Sequence, residues 1–360
     1  MKPFKVMHIG DCHLGYRQYG FNVREDDIEA AVTKVADLAI KLEVDVMLWP
    51  GDVYDSPNPS SRSVFFMYQT VHRLKAKGVE SIGIDGNHDA ADGRWMYVCG
   101  MRTFAAGPPY TIKERVIEGL NYMRPAETAK ALERMANHAY NRIDILMLHQ
   151  PLGDMVPFGC EITAESLVKQ FKPYGLKYVA LGDIHNFQIR AEDGVTLLYP
   201  GSVEMTDIDE QPDKKCVVLE FDADNKLSIN YYEIPTRKVV RYSIKTEEDL
   251  NHLLQDVQKG NTLPVVTVDT NLVGGVERVQ KALGGNIPHR LMRSADETLQ
   301  QKFADPEWDR KGSIVDLKSA VAQVYPESTV EHQLILDMLS NPKAVAETAN
   351  KYLQSKGVTA

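Results

Sequence analysis

An α/β fold, with a sheet covered on both faces and its chemistry placed just beyond the strand ends, is predicted by three observations. Short, nearly continuous apolar runs alternate with stretches that are apolar on one helical face. Five of those runs end in Asp, Asn or His: Asp11-Cys12-His13, Gly51-Asp52-Val53-Tyr54-Asp55, Gly86-Asn87-His88-Asp89, Leu148-His149-Gln150 and Gly182-Asp183-Ile184-His185. The pattern then changes twice, to adjacent strands after Tyr199-Pro200-Gly201-Ser202 and to a small strand–helix repeat after Thr236.

Residues 4–9 read as a strand ending at Asp11. Residues 24–42 read as a helix with Ile28, Ala31, Val32, Val35, Leu38, Ala39 and Leu42 on one face. A strand at 44–49 leads to Asp52, a helix over 63–75 has Val64, Met67, Tyr68, Val71 and Leu74 on one face, and a short strand at 81–84 precedes Asn87. A looser stretch around Gly107-Pro108-Pro109 comes before a helix near 126–140. Buried strands at 143–148 and 178–181 each precede a candidate ligand. Strands at 216–221 and 227–232, joined by Asp222-Ala223-Asp224-Asn225, read as a hairpin closing a first domain. Beyond Thr236, strands at 239–244, 265–268 and 290–292 alternate with helices at 247–258 and 276–283. A polar linker over 294–325 and a helical pair over 330–353, broken at Asn341-Pro342, complete the chain.

With 360 residues, 43% of them hydrophobic, the chain can bury two or three cores. Its net charge of −9 argues against simple coating of nucleic acid. That charge is uneven: residues 1–235 carry 25 basic and 34 acidic groups, 236–293 carry 9 and 6, and 294–360 carry 7 and 10. An acidic first part suits carboxylates that hold metal, and the middle segment is the better place for phosphate contacts. No apolar run of 18 residues occurs, so no membrane span is expected, nor is a signal peptide at Met1-Lys2-Pro3. Cys12, Cys99, Cys160 and Cys216 are scattered and read as reduced thiols of a cytoplasmic protein.

Groups that stand at separate strand ends of such a sheet can converge around one site. A set of Asp, Asn and His without thiolate fits hard divalent ions better than structural zinc. Two such ions about 3.5–4 Å apart clamp the attacking and leaving oxygens of a phosphoryl displacement. Asp52, central in the motif order, is the candidate bridge between them. Each motif taken alone could be a turn, although Gly-Asn-His-Asp has a His that no turn requires. The other histidines (His8, His72, His138, His252, His289 and His332) read as structural.

The order of these motifs resembles the calcineurin-like metallophosphoesterases. More narrowly it resembles the SbcD-type nuclease subunits of double-strand-break repair complexes in bacteria, archaea and phages. The closer likeness rests on Leu14-Gly15-Tyr16-Arg17-Gln18-Tyr19 with Arg24-Glu25, on Asp52-Val53-Tyr54-Asp55 with Asn58-Pro59-Ser60, on Ile145-Leu146-Met147-Leu148-His149-Gln150, and on Tyr199-Pro200-Gly201-Ser202-Val203-Glu204. It covers residues 4–235 well, 236–293 by layout and the remainder weakly.

The resemblance implies a β-sandwich flanked by helices over 1–235, a small α/β capping domain over 236–293, and a linker with C-terminal helices over 294–360. It implies that Asp11, His13, Asp52 and His185 hold one metal, and that Asp52, Asn87, His149 and Asp183 hold the other. The ions would be manganese, with magnesium as the alternative. His88 would act beside the scissile phosphate without binding metal, and Asp55 and Asp89 would orient ligands. Where the family has Gly-His-x-His, this chain has Gly182-Asp183-Ile184-His185, so either Asp183 makes the second site harder and more anionic or the second metal binds differently or weakly.

Arg17, Arg237, Lys238, Arg241 and Lys245 are candidate phosphate contacts. The resemblance implies that the C-terminal helices grip the coiled-coil base of an SbcC-like ATPase; the apolar stripe of Ile335, Met338 and Leu339 fits either that role or packing on the chain's own body. The implied activities are 3′-to-5′ exonuclease on duplex ends and endonuclease on single strands and hairpins. A homodimer is implied, working in the cytoplasm on nucleoid DNA, or in host cytoplasm for a viral protein. Two other readings are a phosphatase or small phosphodiester hydrolase on the same scaffold, and a non-catalytic scaffold subunit that binds DNA.

Overall fold

The computed structural model describes residues 2–89, 92–104, 109–137, 142–157, 162–258, 260, 262–268, 274–285 and 287–293. The chain divides into two units, Met1–Ser294 and Ala295–Ala360. The linker and helical pair expected over 294–360, with Ile335, Met338 and Leu339, lie outside the described residues, as do His138, Cys160 and His332.

Two six-stranded sheets form the body. The first runs Leu227–Glu233, Lys215–Phe221, Phe4–His8, Val46–Pro50, Glu80–Ile84, Arg102–Thr103 in spatial order. The second runs Tyr110–Ile112, Arg115–Leu120, Ile145–His149, Tyr178–Gly182, Val195–Tyr199, Gln188–Glu192. Phe4–His8 pairs in parallel with Val46–Pro50, Val6 opposite Val46, and antiparallel with Lys215–Phe221, Phe4 opposite Phe221.

Side-chain alternation explains why these strands read as nearly continuous apolar runs. Val6, Val46, Leu48, Ile82 and Ile84 point inward and meet Ile145, Met147, Ala180 and Leu198 of the other sheet. Their neighbours Met7, Met47 and Trp49 point outward, onto helices Asn22–Lys41 and Ser61–Ala76, through Ile28, Val32, Val35, Met67 and Leu74. On the second sheet Leu146, Leu148 and Val179 face Leu132, Leu167 and Phe171 of helices Pro125–Asn137 and Ala164–Phe171. The result is four layers, helix–sheet–sheet–helix. Truncating Leu48 or Leu198, neither of which touches solvent, is expected to cost about 2–5 kcal/mol.

Local chemistry marks the helix starts. The Ser60 hydroxyl accepts from the Ser63 amide, and Thr163 and Ser166 form a reciprocal capping box. The hairpin Tyr110–Ile112 with Arg115–Leu120, within the stretch read as loose, turns on Lys113 and Glu114, both at positive φ (46° and 69°). That geometry usually carries Asn-Gly or Asp-Gly, so Lys-Glu gave no turn signal.

A third sheet, Lys238–Ile244, Thr262–Val268 and Arg290–Arg293, is wholly parallel and packs helices Glu247–Gln258 and Gly275–Leu283 around Leu253, Val266 and Val279. Its Leu263 and Val265 receive Ile208 from the segment that follows the second sheet. Arg237 bonds Asp27 through two nitrogens at 2.7 and 2.8 Å, tying this layer to the long first helix. Cys12, Cys99 and Cys216 are buried free thiols, and no described helix is long and apolar enough to cross a membrane.

Candidate metal centre

The five loops that leave Phe4–His8, Val46–Pro50, Glu80–Ile84, Ile145–His149 and Tyr178–Gly182 converge. Asp11, His13, Asp52, Asn87, His149, Asp183 and His185 all lie in the resulting cluster. His149 Nε2 stands 2.9 Å from Asn87 Oδ1, 3.4 Å from Asp52 Oδ2 and 3.7 Å from Asp183 Oδ1. His13 Nε2 stands 3.1 Å from His185 Nε2 and 3.6 Å from Asp52 Oδ2. Asp52 thus has one oxygen facing both groups, while its other oxygen accepts from the His88 amide at 2.9 Å. Asp11, Asp52 and His149 offer ligand atoms within 4.8 Å of one another, and so do His13, Asp52 and His88.

The other ring nitrogens show what belongs at the centre. His149 Nδ1 is 2.8 Å from the Pro50 carbonyl, which only accepts, so that nitrogen carries the proton. His13 Nδ1 meets Asp55 Oδ1 at 3.2 Å and His185 Nδ1 meets Glu210 Oε1 at 2.9 Å. Each imidazole is anchored through Nδ1 and aims the lone pair of Nε2 inward, at oxygen lone pairs or at another imidazole. Such an arrangement repels itself unless a cation stands among the donors. Asp11 adds to this: its Oδ1 accepts from the Asp183 amide at 2.8 Å, whereas its buried Oδ2 has no hydrogen-bond partner. The donor set fits two hard divalent ions.

The carboxylates draw positive charge to the centre. Burial opposes charge on His149, yet Asp52, then Asp11 and Asp183, outweigh it and lift the imidazole to about 10, a positive charge whose place a bound cation would take. Burial would raise the Asp52 carboxyl, but bonding and charge from His149, then His13, hold it well below the usual range. Asp183 is pushed up by burial, relieved in part by His149. The backbone is constrained as well: His13, Asp52 and Asp183 have φ of 49°, 47° and 88°, a region non-glycine residues rarely adopt. Gly51, at φ 92°, passes so close to His149 that a Cβ would collide with its ring, and a Cβ on Gly86 would strike Asp52.

His88 sits at the open side, its side chain 43% exposed, with Nδ1 3.1 Å from the Asp55 carbonyl. Asp89 accepts from the amides of Val53, Tyr54 and Gly86, stitching two of the loops together, and burial pushes it up to about 6. Of the basic candidates, Arg17 bonds Glu25, Arg237 bonds Asp27 and Arg241 bonds Asp209, while Lys238 and Lys245 are exposed. Sequence reasoning missed Glu210, which anchors His185. It lies in a polar loop without periodicity, and the one pointer was the nearby Gly201-Ser202-Val203-Glu204 signature.

A family model described as calcineurin-like phosphoesterase matches residues 4–187, which carry all of these ligand positions. The chain belongs to the calcineurin-like phosphoesterase family. That family uses a dinuclear divalent metal site, and this phosphoesterase is a metal-dependent enzyme of that kind. It is similar to proteins called DNA double-strand break repair protein Mre11. The one from Sulfurisphaera tokodaii is 26% identical over 277 residues, 72% of this chain and 69% of the relative. The one from Methanococcus maripaludis is 24% identical over 353 residues, 90% of each chain. The one from Methanocaldococcus jannaschii is 24% identical over 383 residues, 97% of this chain and 98% of the relative.

Proposed function

We propose that this phosphoesterase is a two-metal DNA nuclease, the nuclease subunit of an end-processing complex with an SbcC-like ATPase. The observation that carries the reading is the extent of the likeness to Mre11 repair proteins, at least 90% of both chains in two relatives. It runs well past the phosphoesterase domain, through segments that a small-ester phosphatase does not need.

Asp11, His13, Asp52 and His185 would hold one ion, and Asp52, Asn87, His149 and Asp183 the other, with Asp52 shared. Bound manganese or magnesium supplies Lewis-acid polarisation of the phosphoryl oxygens and activates the attacking water. The chain's own groups do the rest. Asp55 and Glu210 orient His13 and His185, and Asp89 holds two ligand loops in register. The Asp55 carbonyl accepts from His88 Nδ1, which leaves Nε2 of that ring free to face the scissile phosphate and, when protonated, to give its proton to the leaving oxygen.

Residues 1–235 form the nuclease domain in this reading and 236–293 cap it. Exposed Arg17, Lys238, Arg241 and Lys245 meet phosphates there, and Arg237, held by Asp27, fixes the cap. Phe65, Tyr68, Tyr97 and Val98, all exposed, suit a homodimer face. Residues 294–360 would dock the ATPase.

The test is manganese-dependent cleavage of a labelled duplex, a hairpin and a single strand, compared with a small phosphate ester, with metal content measured in parallel. Cleavage of DNA from 3′ ends and at hairpins is expected. Activity confined to the small ester would leave a phosphatase, and a protein without bound metal would leave a scaffold. His88→Ala is expected to keep both metals while cleavage falls about 10²–10⁴-fold. Loss of metal in that variant would make His88 a ligand.

A further inference from the structure

We infer that Glu210 is a positioning residue for one of the two metals, and that the small domain sets where Glu210 stands. The inference rests on the two-metal reading above.

The Glu210 side chain is 7% exposed and its carboxylate is saturated with donors. Oε1 meets His185 Nδ1 at 2.9 Å, the Thr206 hydroxyl at 2.5 Å and the Asp207 amide at 2.9 Å. Oε2 accepts from the Ser202 hydroxyl at 2.9 Å, from the Thr206 amide at 3.3 Å and from Lys214 Nζ at 2.5 Å. Lys214 is buried too and spends its other two protons on the His185 carbonyl at 3.0 Å and Ser202 Oγ at 2.8 Å. His185 is therefore gripped at both ends, its ring by Glu210 and its backbone by Lys214. A buried carboxylate behind an imidazole raises the basicity of the opposite nitrogen and locks the ring's direction.

The segment bearing Glu210 reaches the small domain two residues earlier. Ile208 is buried against Leu263 and Val265 of the third sheet, and Asp209 bonds Arg241 at 2.8 Å. A change in the seat of that sheet has a short covalent path to the group that aims His185. By contrast, His149 is anchored on the Pro50 carbonyl inside the sandwich, with no link of this kind among the described residues.

Manganese binding to the full-length protein, followed by calorimetry and by paramagnetic resonance, tests the inference. The wild type is expected to bind two ions, and fewer than two would defeat the metal reading itself. Glu210→Gln is expected to weaken one of the two ions about 10–100-fold while the other keeps its affinity. Because that change leaves Lys214 without its charge partner, Glu210→Gln with Lys214→Met serves where the single variant does not fold, and the same split is expected. Ile208→Ala, which touches no ligand, is expected to weaken the same ion by a smaller factor. Two unchanged affinities in a folded Glu210 variant, or equal loss of both, would overturn the positioning role. An unchanged ion in Ile208→Ala would overturn the link to the small domain.

Discussion

His149 enters the centre from the end of a central strand of the second sheet and leans on a backbone carbonyl, whereas His13 and His185 come from loops and lean on carboxylates. The first arrangement is built into the sandwich. The Pro50 carbonyl cannot move without moving a strand, and Gly51 and Gly86 let that backbone approach the ring and Asp52 closely. The second arrangement depends on side chains in polar loops, one of which reaches the third sheet. The contrast teaches that one half of a two-metal site can be rigid by packing while the other is tuned by charge. Ligands anchored by side-chain carboxylates in loops are the more easily disturbed.

The largest effect should come from the group that both halves share. Asp52→Ala removes the oxygen near both His13 and His149, and cleavage of a phosphodiester is expected to fall at least about a thousandfold. Circular dichroism should show the fold intact and metal analysis should show both ions weakened. Retention of one tight ion would mean that the halves are independent.

Rigidity of the His149 half is probed at Gly51. Gly51→Ala places a methyl group against His149 at φ 92° and is expected to cost about 3 kcal/mol or more in thermal unfolding, with loss of activity. Gly194→Ala, at φ 81° with nothing within 4 Å of its Cβ, carries backbone strain alone and is expected to cost about 1 kcal/mol. Equal costs would show that the sandwich yields around His149 more readily than its packing suggests.

Within the same half, Asp183→Ala is expected to weaken the ion beside His149 about tenfold and to spare the other. Asp183→His should keep both ions and activity. Unchanged titration of both ions in the alanine variant would remove Asp183 from the site.

The smallest effect is a control outside both halves. Glu118 is a buried carboxyl with no cation beside it among the described residues, and burial pushes it up to about 7, above its ordinary value near 4.5. An acid raised in the folded state favours its protonated form there. Stability is thus full below the unfolded value and declines as pH rises from about 4.5 through about 7. Glu118→Gln should raise the melting temperature at pH 8, by about 1–2 kcal/mol of stability, and change little at pH 4. A gain at pH 4 equal to that at pH 8 would mean that it comes from packing or hydrogen bonding of the amide and not from removal of a charge.

By itself the sequence determined the alternation of strands and helices, because burial on both faces writes local, nearly continuous apolar runs. It also determined which residues stand at the strand ends, since Asp11, Asp52, Asn87 and Asp183 follow such a run within three residues and His149 ends one. The tertiary structure alone decided how those residues are aimed. The anchors lie far away along the chain: Asp55 is 42 residues from His13, Pro50 is 99 from His149 and Glu210 is 25 from His185. No periodicity records such partners. The hairpin at Lys113-Glu114 was hidden for a related reason, since its positive φ values are imposed by strand pairing rather than by its residues. The partners of Arg237 and Arg241 were likewise invisible, because Asp27 and Asp209 meet them only once the third sheet has packed on the body, and long-range packing decides which charges remain free.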